Sequence, residues 1–362
     1  MSVAEGVNAQ QDETLLLVAT GARETKINIP QAMALMRDVS VELSELADFL
    51  GVTENTVRNL FNRLESHKIL RSESGEVRLT GFGHMVAREQ QHALDELKAT
   101  MLSKFASSEA WPAILRALRT EPLHGNELAD TCDISRRTRR EVCNNFVQRD
   151  WVAYKDGQYQ LLPLGESKLS VYEGFKDAMT LISQKKDFVL RLDDLAQEFP
   201  TAALRETDMA TGTLSEPHAV LTLLEEESDT DAGSLRGVQQ VFSPQFVEEY
   251  DSLIPEGKEI ELVIDKSVFR KATKVRNLHY LRRAHKFDNF HTLIHPENLS
   301  VGFGIFGDER ALVGAYSEEE PYNAAIVGSN EVLVDWVTQK YEEVRKESQT
   351  PTERFWSWLF PG

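Results

Sequence analysis

The sequence predicts a multidomain α+β fold, in which a duplicated helical module is followed by a C-terminal α/β domain with a mixed sheet. The duplication is direct. Residues 29–83 recur without a gap as residues 111–165, at a constant offset of 82 and with twelve identities over 55 positions. Internal symmetry of this kind marks a repeated domain. From about residue 193 onward, short apolar runs alternate with helical segments, which is typical of α/β folds.

Each copy is predicted to begin with three helices. The first follows a proline, Pro30 or Pro112, at a position where the missing N–H costs nothing. The second carries Glu-Leu-Ala-Asp in both copies. A short turn then leads to Thr53 or Ser135, which are favourable N-cap residues for the third helix. Two helices joined by a tight turn are typical of the helix-turn-helix arrangement.

A hairpin is predicted after each third helix. Ile69 and Trp151 begin an apolar strand in the two copies, Gly75 and Asp156–Gly157 mark the turn, and a second short strand returns. Such a hairpin is the wing of a winged helix-turn-helix domain. The sequence therefore predicts two winged helices in tandem.

The third helix of each copy is predicted to be amphipathic at about 100° per residue. The polar faces of the two helices coincide under the offset. Their side chains suit a DNA major groove, because Arg bonds guanine bidentately and Asn bonds adenine. The candidate base-reading residues are Asn55, Arg58, Asn59, Asn62, Arg137, Arg140 and Asn144. The candidate phosphate contacts are Arg71, Arg78, Arg136 and Lys155.

Two interpretations of these faces stand at this point. They read double-stranded DNA, or they are solvated surfaces through which winged helices dock other proteins. The second copy favours DNA because Arg136, Arg137, Arg139 and Arg140 are almost consecutive, whereas the outer face of the first copy has one arginine. Arg139 replaces Val57 of the first copy, so its direction is open. It either contacts DNA or extends over the edge of the core.

The net charge of −18, from 58 acidic and 40 basic residues, argues on average against nucleic-acid binding. The local charge decides otherwise, because residues 112–165 hold eight Lys or Arg and seven acidic side chains. An acidic excess is also typical of halophilic proteins, and at 1 M salt the Debye length falls to roughly 3 Å, so distant carboxylates hardly repel DNA. The acidic composition is therefore compatible with DNA binding in a halophilic protein.

Connecting helices are predicted after each copy. His84–Phe105 forms the first, and the second carries an apolar stripe that is either core or the seam of a homodimer. The stripe residues are Leu169, Tyr172, Phe175, Met179 and Ile182. The predicted boundaries are 1–27 for a flexible N-terminal segment, 28–83 for the first winged helix, 84–110 for the connecting helix, 111–165 for the second winged helix, 166–192 for the linker or dimerisation helix, 193–348 for the α/β domain and 349–362 for an aromatic tail.

Within the α/β domain, the apolar runs predict strands and the segments between them predict helices. The predicted strands are His218–Leu224, Ile260–Ile264, Val301–Phe306, Ala311–Ala315 and Ala324–Val327. The predicted helices are Pro244–Leu253, Ser267–Ala284 and Asn330–Lys346. The acidic Glu225–Gly233 segment is expected to be a mobile loop.

No catalytic or targeting motif emerges. Gly302–Gly307 fits G-x-G-x-x-G, but a strand rather than a helix follows it, so the phosphate-binding geometry fails. His291 and His295 have i, i+4 spacing in a predicted strand, where a structural role is favoured. Cys132 and Cys143 are interpreted as core residues. We expect a cytoplasmic protein that is not an enzyme and has no metal, cofactor or membrane segment.

The order of elements resembles a known family. A winged helix, a connecting helix, Val241–Pro244 before a helix, Gly257–Ile264 as a strand, and a closing strand pair before a helix with Trp336 and Tyr341 are similar to archaeal regulators of the TrmB type. They are closer still to haloarchaeal regulators with a methanogenesis-regulator middle domain. The resemblance covers residues 111–346. It implies transcriptional repression or activation through DNA, dimerisation through the connecting helix, and a phospholipase-D-like effector domain.

A basic stretch is a candidate site for a small anionic effector. Residues 266–286 contain eight Lys or Arg and no acid. The residues proposed for such a site are Arg270, Lys274, Arg282 and Arg283. A phosphate-bearing metabolite, an acidic loop of a second subunit and DNA all satisfy this charge, and a solvated helix face is the alternative.

Overall fold

The computed structural model describes residues 41–73, 76–212, 219–228, 232–240, 257–274, 287–299, 301–315 and 324–350, together with Leu15, Leu16, Ala19, Thr20, Met33 and Met36. The chain divides into two compact units, Met1–Gln184 and Lys185–Gly362. None of the described helices combines the length and the apolar content that a bilayer-crossing helix needs.

The first unit consists of helices and two small sheets. Its helices are α1 (Leu43–Leu50), α2 (Glu54–Ser66), α3 (Gly81–Glu96), α4 (Ala99–Ser107), α5 (Ala110–Thr120), α6 (Gly125–Thr131), α7 (Arg136–Val147) and α8 (Pro163–Gln184). Its strands are β1 (Val41–Glu42), β2 (Leu70–Glu73), β3 (Glu76–Leu79), β4 (Leu123–His124), β5 (Val152–Lys155) and β6 (Gln158–Leu161). The first helix of the first copy and its Gly75 turn lie largely outside the described residues.

The two copies have the same strand order and register. The sheets run β1-β3-β2 and β4-β6-β5. Val41 pairs with Val77 in the first sheet, and Leu123 pairs with Tyr159 in the second, so the offset of 82 is preserved across the hairpins. Repetition in sequence is thus matched by repetition in hydrogen bonding.

The turns between elements are also equivalent. Gly51 ends α1 with a φ of 64°, and Asp133 occupies the same place after α6 with a φ of 49°. Lys68 and Asp150, again 82 positions apart, take φ values of 63° and 56° before the hairpin. Asp tolerates the left-handed region better than most residues, which explains how Asp133 takes the place of Gly51 in the second copy.

The helix after each hairpin packs tightly on the strand that opens it. A Cβ on Gly83 would lie 2.0 Å from the carbonyl oxygen of Ile69, and a Cβ on Gly165 would lie 2.3 Å from that of Trp151. Only glycine permits this approach of two backbones. The identity of the two glycines in the repeat is therefore a packing requirement.

We expect G165A to destabilise the first unit, whereas G174A in the same helix should stabilise it. The new methyl group at Gly165 meets backbone, and such overpacking costs about 1–3 kcal/mol. Gly174 is exposed and nothing lies within 4 Å of a Cβ there, so Ala is expected to add about 0.5–1 kcal/mol through helix propensity. Urea unfolding of both variants measures the difference. Equal effects would contradict the close approach.

The connector after the first copy differs from the single helix predicted over His84–Phe105. It consists of two helices, α3 and α4, separated by two extended residues, Leu97 with φ −118° and ψ 132° and Lys98 with φ −63° and ψ 145°. Leu97 is buried, and the bend brings Phe105 against Trp111 with ring centroids 5.6 Å apart. Tertiary packing thus overrides the continuous helical pattern.

The apolar stripe of α8 is core within the described chain. All five residues proposed for it are buried, at most 4% exposed. Tyr172 stacks on Phe105 at 4.9 Å, and the ammonium of Lys168 donates to the backbone oxygen of Glu96 at 2.8 Å at the end of α3. Of the two interpretations, the dimer seam is not supported because the stripe is already covered.

Part of the segment predicted to be flexible is ordered. Leu15, Leu16 and Ala19 are helical and buried, and the amide of Gln90 in α3 donates to the carbonyl of Ala19. Apolar residues at helical spacing in this polar segment were the available signal.

The second unit is built on one seven-stranded mixed sheet in the order β10-β9-β8-β11-β12-β13-β7. Strands β8, β9 and β10 are parallel, and the other neighbours are antiparallel. The strands are β7 (Thr207–Thr211), β8 (Ser234–Gln239), β9 (Glu259–Asp265), β10 (Phe290–His295), β11 (Val301–Phe306), β12 (Arg310–Ala315) and β13 (Ala324–Gly328). The α-helices are α9 (Lys186–Val189), α10 (Ala219–Ser228), α11 (Lys266–Ala272) and α12 (Glu331–Glu347).

The predicted mixed sheet is confirmed, but one predicted strand is wrong and the strands β7 and β8 were not predicted. The structure has the helix α10 where His218–Leu224 was predicted to be a strand, and this helix extends into the predicted acidic loop as far as Ser228. Leu, Ala and Glu dominate the segment and are strong helix formers, which outweighs the short apolar run. The predicted helix Pro244–Leu253, the later part of Ser267–Ala284 and the aromatic tail lie outside the described residues.

Both faces of the sheet are covered. On one face Trp336 of α12 contacts Phe303 and Phe199, with ring centroids 5.7 and 4.8 Å apart. On the other face Val220 and Leu223 of α10 join a core cluster with residues of β8, β9, β11, β12 and β13. The unit therefore has two apolar layers around the sheet.

Glu261 links β9 to α12. Its carboxylate accepts hydrogen bonds from the Tyr341 hydroxyl and from Arg345 Nε, the latter at 2.6 Å. Burial alone raises the pKa of Glu261, but these two donors outweigh it and hold that pKa below its usual value.

A lowered pKa predicts acid sensitivity. The stabilisation from the ionised Glu261 is fully present above its unfolded pKa of about 4.3 and is lost as the pH falls through the lower folded pKa. We expect E261Q to be less stable than the wild type at neutral pH, with the gap narrowing in acid. Unfolding midpoints across the acidic range measure this, and E309Q, at an exposed position, is the control. A gap independent of pH would contradict the assignment.

Candidate nucleic-acid interface

The helix α7 begins at a hydroxyl cap. Ser135 Oγ accepts from the backbone N–H of Thr138 at 3.0 Å, and Thr53 Oγ1 accepts from that of Thr56 at 3.4 Å at the equivalent start of α2. The caps satisfy backbone donors that a helix start leaves open. The sequence thus sets where each third helix begins and which of its faces points outward.

All seven candidate base-reading residues are exposed in the structure. The opposite faces are buried and hold the helices in place, through Val57, Leu60, Phe61 and Leu64 in α2 and Val142, Cys143 and Phe146 in α7. The exposed residues are Asn55, Arg58, Asn59 and Asn62 on α2, and Arg137, Arg140 and Asn144 on α7.

The two helices differ in charge. Helix α7 has four arginines and one glutamate, a net charge of +3, whereas α2 has two arginines and two glutamates and is neutral. The first turn of α7 contains Arg136 and Arg137 and no acidic residue. Cations near a helix N-terminus oppose the helix dipole at about 0.3–1 kcal/mol each. A bound anion would remove this cost.

The hairpin after α7 adds a second set of contacts. Lys155 is exposed beside the turn, where Asp156 and Gly157 have φ values of 52° and 83°. His124 Nδ1 lies 3.0 Å from the carbonyl oxygen of Gly157 and ties the turn to the end of β4. The hairpin of the second copy is thereby held by a side chain that the first copy lacks.

Tyr154 was missed by the sequence analysis. Its side chain is 59% exposed on β5, and its ring centroid lies 4.7 Å from that of its cross-strand partner Tyr159. The tyrosine pair across the predicted hairpin was the available signal. In the first copy, Arg71 and Arg78 are cross-strand partners and are half-buried, so they are less accessible than Lys155.

The direction of Arg139 is settled by the structure. Its Nη1 donates to the Tyr159 hydroxyl at 3.1 Å, and its Cζ lies 5.7 Å from the centroid of that ring. A Cβ on Gly125 would lie 2.8 Å from Nη1. The guanidinium is half-buried between α7, the start of α6 and β6.

The two cysteines are free thiols. Cys143 is fully buried in the core, and burial raises its pKa to about 12 against the opposing effect of Arg139. Cys132 is half-buried, and burial raises its pKa as well. Both are poor nucleophiles near neutral pH.

The candidate effector residues are only partly within the described chain. Arg270 and Lys274 are exposed at α11, which begins where Asp265 accepts from the backbone N–H of Val268 at 2.8 Å. Arg282 and Arg283 lie outside the described residues. The structure brings Arg270 and Lys274 to the same short segment.

The two histidines with i, i+4 spacing lie on β10. His295 is buried, and its Nδ1 accepts from the backbone N–H of Glu297 at 3.2 Å, while Nε2 lies 3.5 Å from the Glu347 carboxylate. His291 is exposed. Across the described ranges, no group of three or more His, Cys, Asp or Glu is arranged to hold a metal ion.

Two family models match the chain. Residues 217–347 match the middle domain of the methanogenesis regulatory protein FilR1, and residues 100–184 match the HVO_A0261 N-terminal domain. The matched domains indicate a regulator of transcription. More closely, the chain resembles archaeal TrmB-type regulators that carry the FilR1 middle domain, which confirms the resemblance drawn from its sequence.

Solved structures are more distant. TrmBL2, described as an archaeal chromatin protein with a novel mode of DNA binding, is 12% identical and covers 67% of this chain and 93% of its own, with a TM-score of 0.32. Nuc from Salmonella typhimurium, a phospholipase D family member, is 14% identical over 40% of this chain and 98% of its own, with a TM-score of 0.32. Such scores carry nothing across, so the phospholipase-D-like fold stays a prediction. No curated protein matches the sequence.

Proposed function

We propose that this chain is a sequence-specific DNA-binding regulator of transcription, and that residues 111–165 form its principal winged-helix reading head. The observation that carries the proposal is the exposed face of α7. Arg137, Arg140 and Asn144 lie on this face, and the helix has a net charge of +3. In an acidic chain, a solvated face has no need of this concentration of arginine.

The reading geometry follows from the side chains. Helix α7 enters the major groove, which is about 12 Å wide and presents a distinct donor and acceptor pattern for each base pair. Arg137 and Arg140 bond guanine edges and Asn144 bonds adenine. Arg136 at the helix start and Lys155 on the wing neutralise phosphates and set the orientation.

The first copy is proposed as a second winged helix that lies on an adjacent DNA segment. One observation supports protein docking as the second candidate function of this copy. Phe49 on α1 is 52% exposed, and the helix α2 has no net charge. An exposed aromatic side chain beside a neutral face suits a protein contact better than a phosphate backbone.

Selection of bound duplexes from a random library, at the molar KCl of a halophilic cytoplasm, tests the proposal. We expect enrichment of a motif that contains guanine and adenine at the spacing of one turn of α7. Absence of any enriched motif, with the folded protein in excess, would contradict DNA reading and favour docking.

Dimerisation and effector binding complete the proposal. A homodimer would match a two-fold operator, and it must use a surface other than the buried stripe of α8. An anionic effector near Arg270 and Lys274 would shift the equilibrium between conformations of different DNA affinity. Light scattering with and without inorganic phosphate, on the wild type and on R270E/K274E, separates these roles.

We assign no enzymatic activity, and a DNA-reading role places the protein in the cytoplasm.

A further inference from the structure

Among the described residues, Arg139 lacks the carboxylate partner that Arg116 and Arg119 have. Arg116 and Arg119 are paired with carboxylates, Arg116 Nε with Glu173 at 2.6 Å and Arg119 Nε with Glu166 at 2.9 Å. Arg139 bonds only the neutral Tyr159 hydroxyl, and its Nε is buried without a hydrogen-bond partner among the described residues. Within the described part of the chain it forms no ion pair. A half-buried cation is ordinarily paired.

The position of the Arg139 guanidinium between Gly125 and Tyr159, its seat, is specific to the second copy. At the equivalent positions, the first copy has Val57 in place of Arg139 and Val77 in place of Tyr159, both buried and apolar. It also has Leu43 where the second has Gly125, the residue whose missing Cβ leaves room for the guanidinium. Three coordinated differences convert an apolar contact into a seat for one cation.

The seat lies beside the proposed reading face. Arg139 is on α7 between the exposed Arg136 and Arg140, and its contact with Tyr159 joins the helix to the hairpin that carries Tyr154 and Lys155. A duplex that touches both the helix and the wing passes this junction. The anion that a duplex presents there is a phosphate diester of its backbone.

We propose that Arg139 binds a backbone phosphate of DNA at the junction of α7 and β6, with the Tyr159 hydroxyl holding the guanidinium in place. Nη2, which has no hydrogen-bond partner among the described residues, donates to a non-bridging oxygen of one phosphate, whereas the buried Nε lies out of reach of the duplex. This inference rests on the proposed DNA-binding function. The inference adds Arg139 to the proposed DNA contacts, whereas the amphipathic pattern of α7 alone places this residue at the edge of the core.

The test is the salt dependence of binding to a mixed-sequence DNA duplex over a series of KCl concentrations. Each phosphate contact adds about 0.9 to the slope of log K against log salt. We expect R139M to lower the slope by about 0.9 and to weaken binding at every salt concentration. R149M is the matched control, because Arg149 is also half-buried but bonds the Asn145 backbone oxygen at 2.9 Å.

A second variant covers the case in which R139M does not fold. G125A leaves the charge in place but puts a methyl group against the guanidinium, so it is expected to lower the slope in the same way. An unchanged slope in folded R139M or G125A would overturn the phosphate contact while the wild type still binds. A wild type that does not bind the duplex at any salt concentration would overturn the proposed function itself.

Discussion

R137A/R140A is expected to lose sequence-specific DNA retardation while keeping the fold. Both side chains are exposed on α7 and lie one turn apart on one face, so their removal deletes the two proposed base contacts without touching the core. At ~1–3 kcal/mol for each bidentate contact, the loss is about 2–6 kcal/mol of specific binding free energy. Gel retardation measures it, and circular dichroism verifies the fold.

The first copy supplies the matched control. N55A/R58A alters the positions that correspond to Arg137 and Arg140 under the offset, on the neutral helix α2. We expect a smaller loss, because one arginine rather than two is removed and the helix carries no net positive charge. Equal losses in the two variants would assign equal roles to the copies. No loss in either would favour the protein-docking interpretation.

Much of the first unit was predictable because the same pattern of helices and strands occurs twice in the sequence. A hydroxyl cap at Ser135, a turn after α6 and the returning strands each appear at the expected offset, and two independent copies of a weak local signal reinforce one another. Gly165 shows the limit of such reasoning. Its repetition marked it in the sequence, but only the position of the Trp151 carbonyl explains it.

The errors have tertiary causes. The break at Leu97 leaves no signal in the residue types, because the helical pattern continues through it and packing of Phe105 determines the bend. The stripe of α8 has the same residues whether it is core or a seam, and the covering elements decide. Helix α10 was mistaken for a strand because a short apolar run is ambiguous between the two.

The candidate site was predicted in the same uneven way. Exposure of Arg137, Arg140 and Asn144 follows from helical periodicity alone, so it was accessible from the sequence. The seat of Arg139 was not, since it requires Gly125 and Tyr159 to meet from elements 14 and 20 residues away in the chain. Periodicity reports the faces of one helix and is silent on what its neighbours provide.

F105A is expected to cause the largest loss of stability in the first unit. Phe105 is 1% exposed, and its ring contacts Trp111 at 5.6 Å, Trp151 at 5.9 Å and Tyr172 at 4.9 Å. It therefore joins α4 to α5, to the residue before β5 and to α8. Truncation of a buried Phe to Ala costs about 3–5 kcal/mol, through lost burial and the cavity left behind.

Urea unfolding followed by tryptophan fluorescence measures this loss, because Trp111 and Trp151 report on the same cluster. Y154A is the control, since it deletes an aromatic ring that is 59% exposed and is expected to change stability by less than about 0.5 kcal/mol. The cluster continues to α7 through Phe146, whose ring lies 4.9 Å from Trp111. F105A should therefore also weaken DNA binding near its unfolding midpoint, whereas R137A/R140A weakens it in the fully folded protein. An F105A protein as stable as the wild type would show that α4 does not hold α7 in place.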